Sequence, residues 1–261
     1  MDSIKQALDI IRSTGSQGAA SDIREGVTDG KFRSLQLNPE YLESTRIVAH
    51  GMGAQGRYYD MLRTQVLQEM DDHGWQFIAV TSATAGCGKT VTSCNLALSI
   101  ARLTERSVLL VDIDMKKPKA AEYLGIKARG GLLSVLQNDI GLADALVEAN
   151  LGTSKLLVLP GEVCRSGSSE WMASQAMASL LQILKREFRS RVVIFDMPPL
   201  LLGDDVISVL PQMDAVMLIA GVGQTSTGEI KQCQKHLKNT PVVRVVVNRV
   251  TEPGDAFYGY Y

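Results

Sequence analysis

Little in this sequence points to a covalent scaffold, a membrane span or a nucleic-acid partner. The four cysteines, Cys87, Cys94, Cys164 and Cys233, show neither CxxC pairs nor a disulfide-like framework. The N-terminal stretch MDSIKQALDI has no basic segment leading into an apolar one, so a reducing, cytoplasmic setting is expected. The longest apolar runs, such as AVMLIAGVG from Ala215, fall far short of the roughly 20 residues that a membrane-spanning helix needs. Any membrane contact is therefore expected to be peripheral or through a partner. Charge of one sign is missing too: 27 Lys and Arg face 28 Asp and Glu, a formal net charge of -1, so nucleic acid is not an expected partner. His50, His73 and His236 have no ligand-like spacing and are expected at the surface.

What is present is the composition of a packed globular core, 45% hydrophobic over 261 residues, which fits one domain with an extra tail. Near the start, IKQALDIIR places Ile4, Leu8 and Ile11 on one helical face, a short amphipathic helix that could meet a partner, a membrane surface or its own domain. From Ser13 to Asn38 the chain is polar, rich in Gly and Ser, and without a sustained period, so it reads as a linker or mobile arm. The expected organisation is an N-terminal helix and arm over 1–52, a main domain over 53–254 and a short tail over 255–261.

Within the main domain, apolar runs alternate with longer amphipathic segments. WQFIAVTS, SVLLVDID, KLLVLPG, RVVIFDMPP, DAVMLIAG and VVRVVVN read as strands buried on both faces. GKTVTSCNLALSIARLTE, SSEWMASQAMASLLQILKREF and STGEIKQCQKHLKN read as helices between them. This alternation predicts an α/β fold, a mostly parallel sheet flanked by helices on both faces, with its ligand site at the carboxyl ends of the strands.

The stretch TSATAGCGKTVTSCN, beginning at Thr81, sits at such an end. It closes like a phosphate-binding loop, GxxxxGK followed by Thr, although Ala83 stands where the first glycine is usual. Gly86 and Gly88 let the backbone approach an anion, Lys89 neutralises outer phosphates, and the Thr90 hydroxyl can ligate magnesium. Nucleotide contacts are expected from Ala85, Gly86, Cys87, Gly88, Lys89, Thr90 and Val91. Cys87 is expected to be a small residue with an outward side chain, although a helix start can make a thiol reactive. Asp112 and Asp114 end the second apolar run, and Asp196 ends another, with Pro198 and Pro199 stopping the ladder. Carboxylates at several strand ends beside a phosphate loop suit a magnesium ion and phosphoryl transfer.

Together, SATAGCGKT, DIDMKKP and FDMPP make the chain resemble the bacterial tyrosine kinases of polysaccharide export, of the CpsD and CapB type, relatives of the MinD and ParA ATPases. The likeness runs from about Arg57 onward and takes in MLRTQVLQ, GLLSVL, SSEWMAS and VVVNRV. It implies a P-loop NTPase fold that uses ATP and Mg2+. Lys89 would bind the phosphates, Thr90, Asp112 and Asp196 would organise the metal, and Asp112 would act as base with Asp114 assisting. Asn248 would read adenine, with Arg249 beside the base. The resemblance also implies a homo-oligomer and an activating inner-membrane chain-length regulator, the polysaccharide co-polymerase. In the tail DAFYGYY, Tyr258, Tyr260 and Tyr261 look like a shortened autophosphorylation cluster.

Several positions depart from the pattern. Thr84 replaces the signature lysine of the MinD type, and Lys116 and Lys117 stand where kinase relatives often carry arginine. The oligomer-forming ExxRxxR helix reads as Arg57, Asp60 and Arg63, with its first acid replaced by a base. Two functions follow: a tyrosine autokinase controlling exopolysaccharide or capsule assembly, and a non-kinase ATPase switch that acts by nucleotide-dependent dimerisation and partner recruitment.

Overall fold

The computed structural model describes residues 32–48, 54–189 and 191–250. The N-terminal amphipathic helix and the three tail tyrosines lie outside the described residues. In chain order the elements are β1 (Arg33–Gln36), α1 (Pro39–Ser44), α2 (Ala54–His73), β2 (Phe77–Ser82), α3 (Lys89–Ala101), β3 (Ser107–Asp112) and α4 (Ala120–Tyr123). There follow α5 (Leu132–Leu136), α6 (Leu142–Ala145), β4 (Val147–Leu151), β5 (Ser154–Leu159), α7 (Ser168–Met172), α8 (Gln175–Glu187) and β6 (Arg191–Asp196). The chain closes with α9 (Asp205–Val209), a 3-10 turn at Leu210–Gln212, β7 (Ala215–Gly221), α10 (Thr227–His236) and β8 (Val242–Asn248).

The strands form one 8-stranded sheet in the order β1-β4-β5-β3-β6-β2-β7-β8. Every neighbouring pair is parallel except β4 with β5, so the expected mostly parallel α/β sheet is what forms. Successive side chains of a strand point to opposite faces, and here both faces are apolar. Phe77, Leu109, Val111, Val193 and Phe195 pack beneath Met177, Leu180, Leu181 and Leu184 of α8. Ile78, Val80, Leu110, Ile194 and Met217 face Ala97, Leu98 and Ile100 of α3 and Val66 and Met70 of α2. The Phe77 and Phe195 rings meet edge to face at 5.0 Å between centroids, and truncating either to Ala would cost about 3–5 kcal/mol.

Four features differ from the sequence reading. Residues 33–36, read as part of the arm, form β1 and pair with β4, so the sheet recruits chain from before residue 53. The β4–β5 hairpin turns through Gly152, at φ 58°, and was hidden because VEANL is short and half polar. β8 is not buried on both faces: it is an edge strand, with Val245 50% and Val247 59% exposed. The long helix read over SSEWMASQAMASLLQILKREF also breaks into α7 and α8. Ser174 caps α8 by accepting from the Met177 amide, and its hydroxyl donates to the Trp171 carbonyl.

The parallel strands β2, β3, β6, β7 and β8 all end on one edge of the sheet. The Gly-rich loop, the three aspartates and Asn248 meet there.

Candidate functional site: a phosphate loop facing paired carboxylates

β2 ends at Ser82 and α3 starts at Lys89, so the Gly-rich loop turns the chain within six residues. Gly86 and Gly88 take φ of 83° and 92°, a region that costs L side chains steric strain. Gly88 occupies the N-cap of α3, no side chain caps it, and the first turn holds no acidic residue. The first amides of α3 are therefore left to an external acceptor, and the helix dipole adds positive potential there. Ala83 does not need to be glycine, because its backbone is not left-handed and its methyl group is 1% exposed in the core. The loop is braced from both ends: Ser82 Oγ donates to the Thr84 carbonyl at 2.6 Å, and the Leu201 amide donates to the Ala83 carbonyl at 3.2 Å.

Opposite the loop, Asp112 of β3 is the register partner of Asp196 of β6. Asp112 is tied by both oxygens: Oδ1 accepts the Asp114 amide at 3.1 Å, and Oδ2 accepts the amides of Lys119 and Ala120 at 2.9 Å each. Burial and then the charge of Asp196 push its pKa well above the ordinary carboxylate range. Burial likewise pushes Asp196 up to about 6, against the Thr90 hydroxyl, the Lys89 charge and the Ser93 hydroxyl, which all favour its ionised form. Ser93 Oγ donates to Asp196 Oδ1 at 3.0 Å, while Asp196 Oδ2 is buried without a partner. Lys89 is only 8% exposed. Asp114 is also buried, its Oδ1 accepting the amides of Lys116 at 3.2 Å and Lys117 at 3.0 Å.

A family model decides the class: the CbiA model, the CobQ/CobB/MinD/ParA nucleotide binding domain, matches residues 78–258. The chain belongs to this nucleotide-binding family. It is 30% identical over 200 residues to EpsB of Ralstonia nicotianae, named as a tyrosine-protein kinase, a match covering 76% of this chain. The chain spans only 26% of the length of EpsB. It is 26% identical to the tyrosine-protein kinase YwqD of Bacillus subtilis, over 78% of this chain and 84% of that one. Among solved structures, the VpsO kinase domain superposes with a TM-score of 0.64 at 26% identity, covering 75% of this chain and 98% of that one.

In this CbiA-family site, the donor set suits a magnesium ion held alongside phosphates. Among the described residues no group of 3 or more His, Cys, Asp or Glu side chains is arranged to hold a metal alone. Magnesium is commonly held by one or two carboxylates plus substrate phosphates and water. The orphaned Asp196 Oδ2, with the Thr90 hydroxyl beside the same carboxylate, fits that pattern.

Two sequence expectations look different in place. Cys87 does not face outward: it is fully buried behind the loop, its Sγ donating to the Thr84 carbonyl at 3.3 Å and lying 3.4 Å from Thr225 Oγ1. Burial raises its thiol pKa, but hydrogen bonds donated by Thr225, Thr84 and the Gly221 backbone outweigh this and hold it below the ordinary value. Asn248 lies at the end of β8 as expected, but its Nδ2 donates to the Cys87 carbonyl at 2.9 Å. Arg249 follows in the left-handed region, at φ 63°.

The CbiA-family core also uses residues that sequence patterns did not mark. Ser93 reaches Asp196 from one turn into α3, and Gly161 lies so near Asp112 that a Cβ would stand 2.8 Å from its Cγ. Asp205, the first residue of α9, is buried and ties the loop after β3 to the start of α7: it pairs with Lys116 and accepts the hydroxyls of Ser168 at 2.9 Å and Ser169 at 2.7 Å. Lys116 thus keeps a paired role without the forked geometry of arginine. SSEWMAS was a visible signal for the two serines; Gly161 and Asp205 had none.

Proposed function

We propose that the chain is an ATP- and Mg2+-dependent protein-tyrosine autokinase regulating exopolysaccharide or capsule polymerisation and export. The observation that carries this reading is the uncapped start of α3, with Lys89 and Thr90, set against the Asp112–Asp196 pair and its orphaned oxygen. The tyrosine-protein kinase names of EpsB and YwqD favour a kinase over a switch, as does Thr84 in place of the switch family's lysine.

In this reading the amides of Ala85 to Val91 cradle the triphosphate, and Lys89 neutralises its outer oxygens. Thr90, Asp112 and Asp196 would hold magnesium, which would neutralise charge on the phosphates. Asp112 accepts the phenolic proton as the tyrosine oxygen bonds to the γ-phosphorus and the bond to the β–γ bridging oxygen breaks. Asp114 assists by ordering the turn that follows β3. Tyr258, Tyr260 and Tyr261 are the acceptors, delivered from a second copy of the chain, and Asn248 and Arg249 flank the nucleotide.

The partner is an inner-membrane polysaccharide co-polymerase, which would bring a cytoplasmic kinase to the membrane periphery. Among the described residues no helix is long and apolar enough to cross a membrane. Self-assembly would use the α2 side, where Arg57, Asp60, Met61, Arg63, Thr64 and Gln65 line a cleft of 600 Å3. Arg63 and Arg102 both bind Asp60 in this conformation, which leaves exposed Arg57 to reach another subunit.

Incubation of the purified chain with Mg-ATP, followed by mass spectrometry, tests the reading. Phosphotyrosine at the three tail positions, absent in Lys89→Ala, is expected. Phosphate release with no labelled tyrosine would favour the ATPase switch.

A further inference from the structure

The back of the phosphate loop is pinned at two successive carbonyls. Gln224, in the turn after β7, satisfies both of its neighbours when its amide is assigned with Nε2 donating to the Gly86 carbonyl at 3.0 Å and Oε1 accepting from Arg249 Nη1 at 3.1 Å. Asn248 Nδ2 donates to the next carbonyl, that of Cys87, at 2.9 Å. The approach is close: a Cβ on Gly88 would stand 2.2 Å from Asn248 Nδ2 and would push that amide off the loop.

A trans peptide is planar, with its C=O and N–H pointing in opposite directions. Fixing the Gly86 carbonyl toward Gln224 therefore aims the Cys87 N–H the other way, and fixing the Cys87 carbonyl toward Asn248 does the same to the Gly88 N–H. These two amides precede the uncapped start of α3. Each of the two peptide planes adjoins a glycine with positive φ, Gly86 or Gly88, so little else in the local backbone forbids a flip. Arg249 completes the device by holding the oxygen end of the Gln224 amide, which leaves the NH2 end for Gly86.

We infer that Gln224 and Asn248 are positioning residues of the phosphate cradle, setting the direction of its amides through the carbonyls behind them. This rests on the nucleotide reading above and changes one role within it: Asn248 contributes to phosphate affinity whatever base is attached. Gln224 is exposed, so its replacement leaves the core untouched.

The test compares two ligands by calorimetry on the full chain, Mg-ATP and Mg-tripolyphosphate, which has neither base nor sugar. Gln224→Leu and Asn248→Ala should each weaken both ligands by the same factor, about three- to tenfold for one lost hydrogen bond. Gln224→Glu keeps an acceptor for Arg249 but has no N–H for Gly86, and it should lose as much as Gln224→Leu. A loss confined to Mg-ATP would make Asn248 a base reader and overturn the inference, as would unchanged binding of both ligands by the Gln224 variants. Folded wild-type protein that binds neither ligand would instead overturn the nucleotide reading, and the inference with it.

Discussion

Asp112 and Asp196 stand side by side as register partners at the ends of adjacent parallel strands, β3 and β6, both buried. Two carboxylates so placed are costly to ionise together without a cation, which sets a stability problem that a bound metal would relieve.

Asp196→Asn should therefore stabilise the metal-free protein at neutral pH while abolishing the proposed kinase activity. Burial raises the folded-state pKa of Asp196 from 3.8 to about 6, so the folded chain holds this proton more tightly than the unfolded chain. The penalty is absent below 3.8, grows as pH rises and is complete above about 6. At full ionisation it is on the order of 2–3 kcal/mol. Thermal melts from pH 4 to 8 without divalent ions should show wild type falling behind the variant as pH rises; parallel curves would refute this account.

Asp205 should show the opposite slope. Burial alone would raise its pKa, but Lys116 and the hydroxyls of Ser169 and Ser168 outweigh it and hold the carboxyl below the ordinary range. Its stabilising contribution is present above the unfolded pKa and disappears as pH falls through the lower folded value. Asp205→Asn should cost roughly 1–3 kcal/mol near neutrality and progressively less in acid, read from urea midpoints at several pH values.

Gly161→Ala probes the packing behind Asp112. Its new methyl group would lie 2.7 Å from Pro118 Cβ, 2.8 Å from Asp112 Cγ and 3.0 Å from the Asp112 carbonyl oxygen. A destabilisation of about 1–3 kcal/mol is expected, together with loss of activity beyond what unfolding explains. A variant with wild-type turnover would show that Asp112 tolerates displacement.

Lys89→Ala removes an ammonium whose charge favours the ionised form of Asp196 at the loop. The proposed tyrosine phosphorylation should fall by about 10²–10³-fold, the range for losing one positioned electrostatic partner. Circular dichroism should be unchanged. Activity within tenfold of wild type would remove this lysine from the phosphate grip.

The sheet was legible where burial is complete. β2, β3, β6 and β7 are continuous apolar runs because helices cover both their faces, and the sequence pattern carries that directly. β1 and β4 were not legible: they are short, half polar and held mainly by each other and by β5, so their order comes from pairing rather than composition. The site divides the same way. Gly86, Gly88, Lys89 and the strand-end aspartates carry local signals, because backbone geometry and strand termination are local properties. Ser93 meets Asp196 across 103 residues and Lys116 meets Asp205 across 89, and no spacing rule anticipates pairs made by folding.

The open start of α3 also makes this molecule sensitive to its surroundings. Sulfate or inorganic phosphate in a purification buffer would settle on the same amides, protect the chain against heating and compete with nucleotide. Apparent affinities measured in such media would reflect the contest between oxyanions as much as the merit of the true ligand.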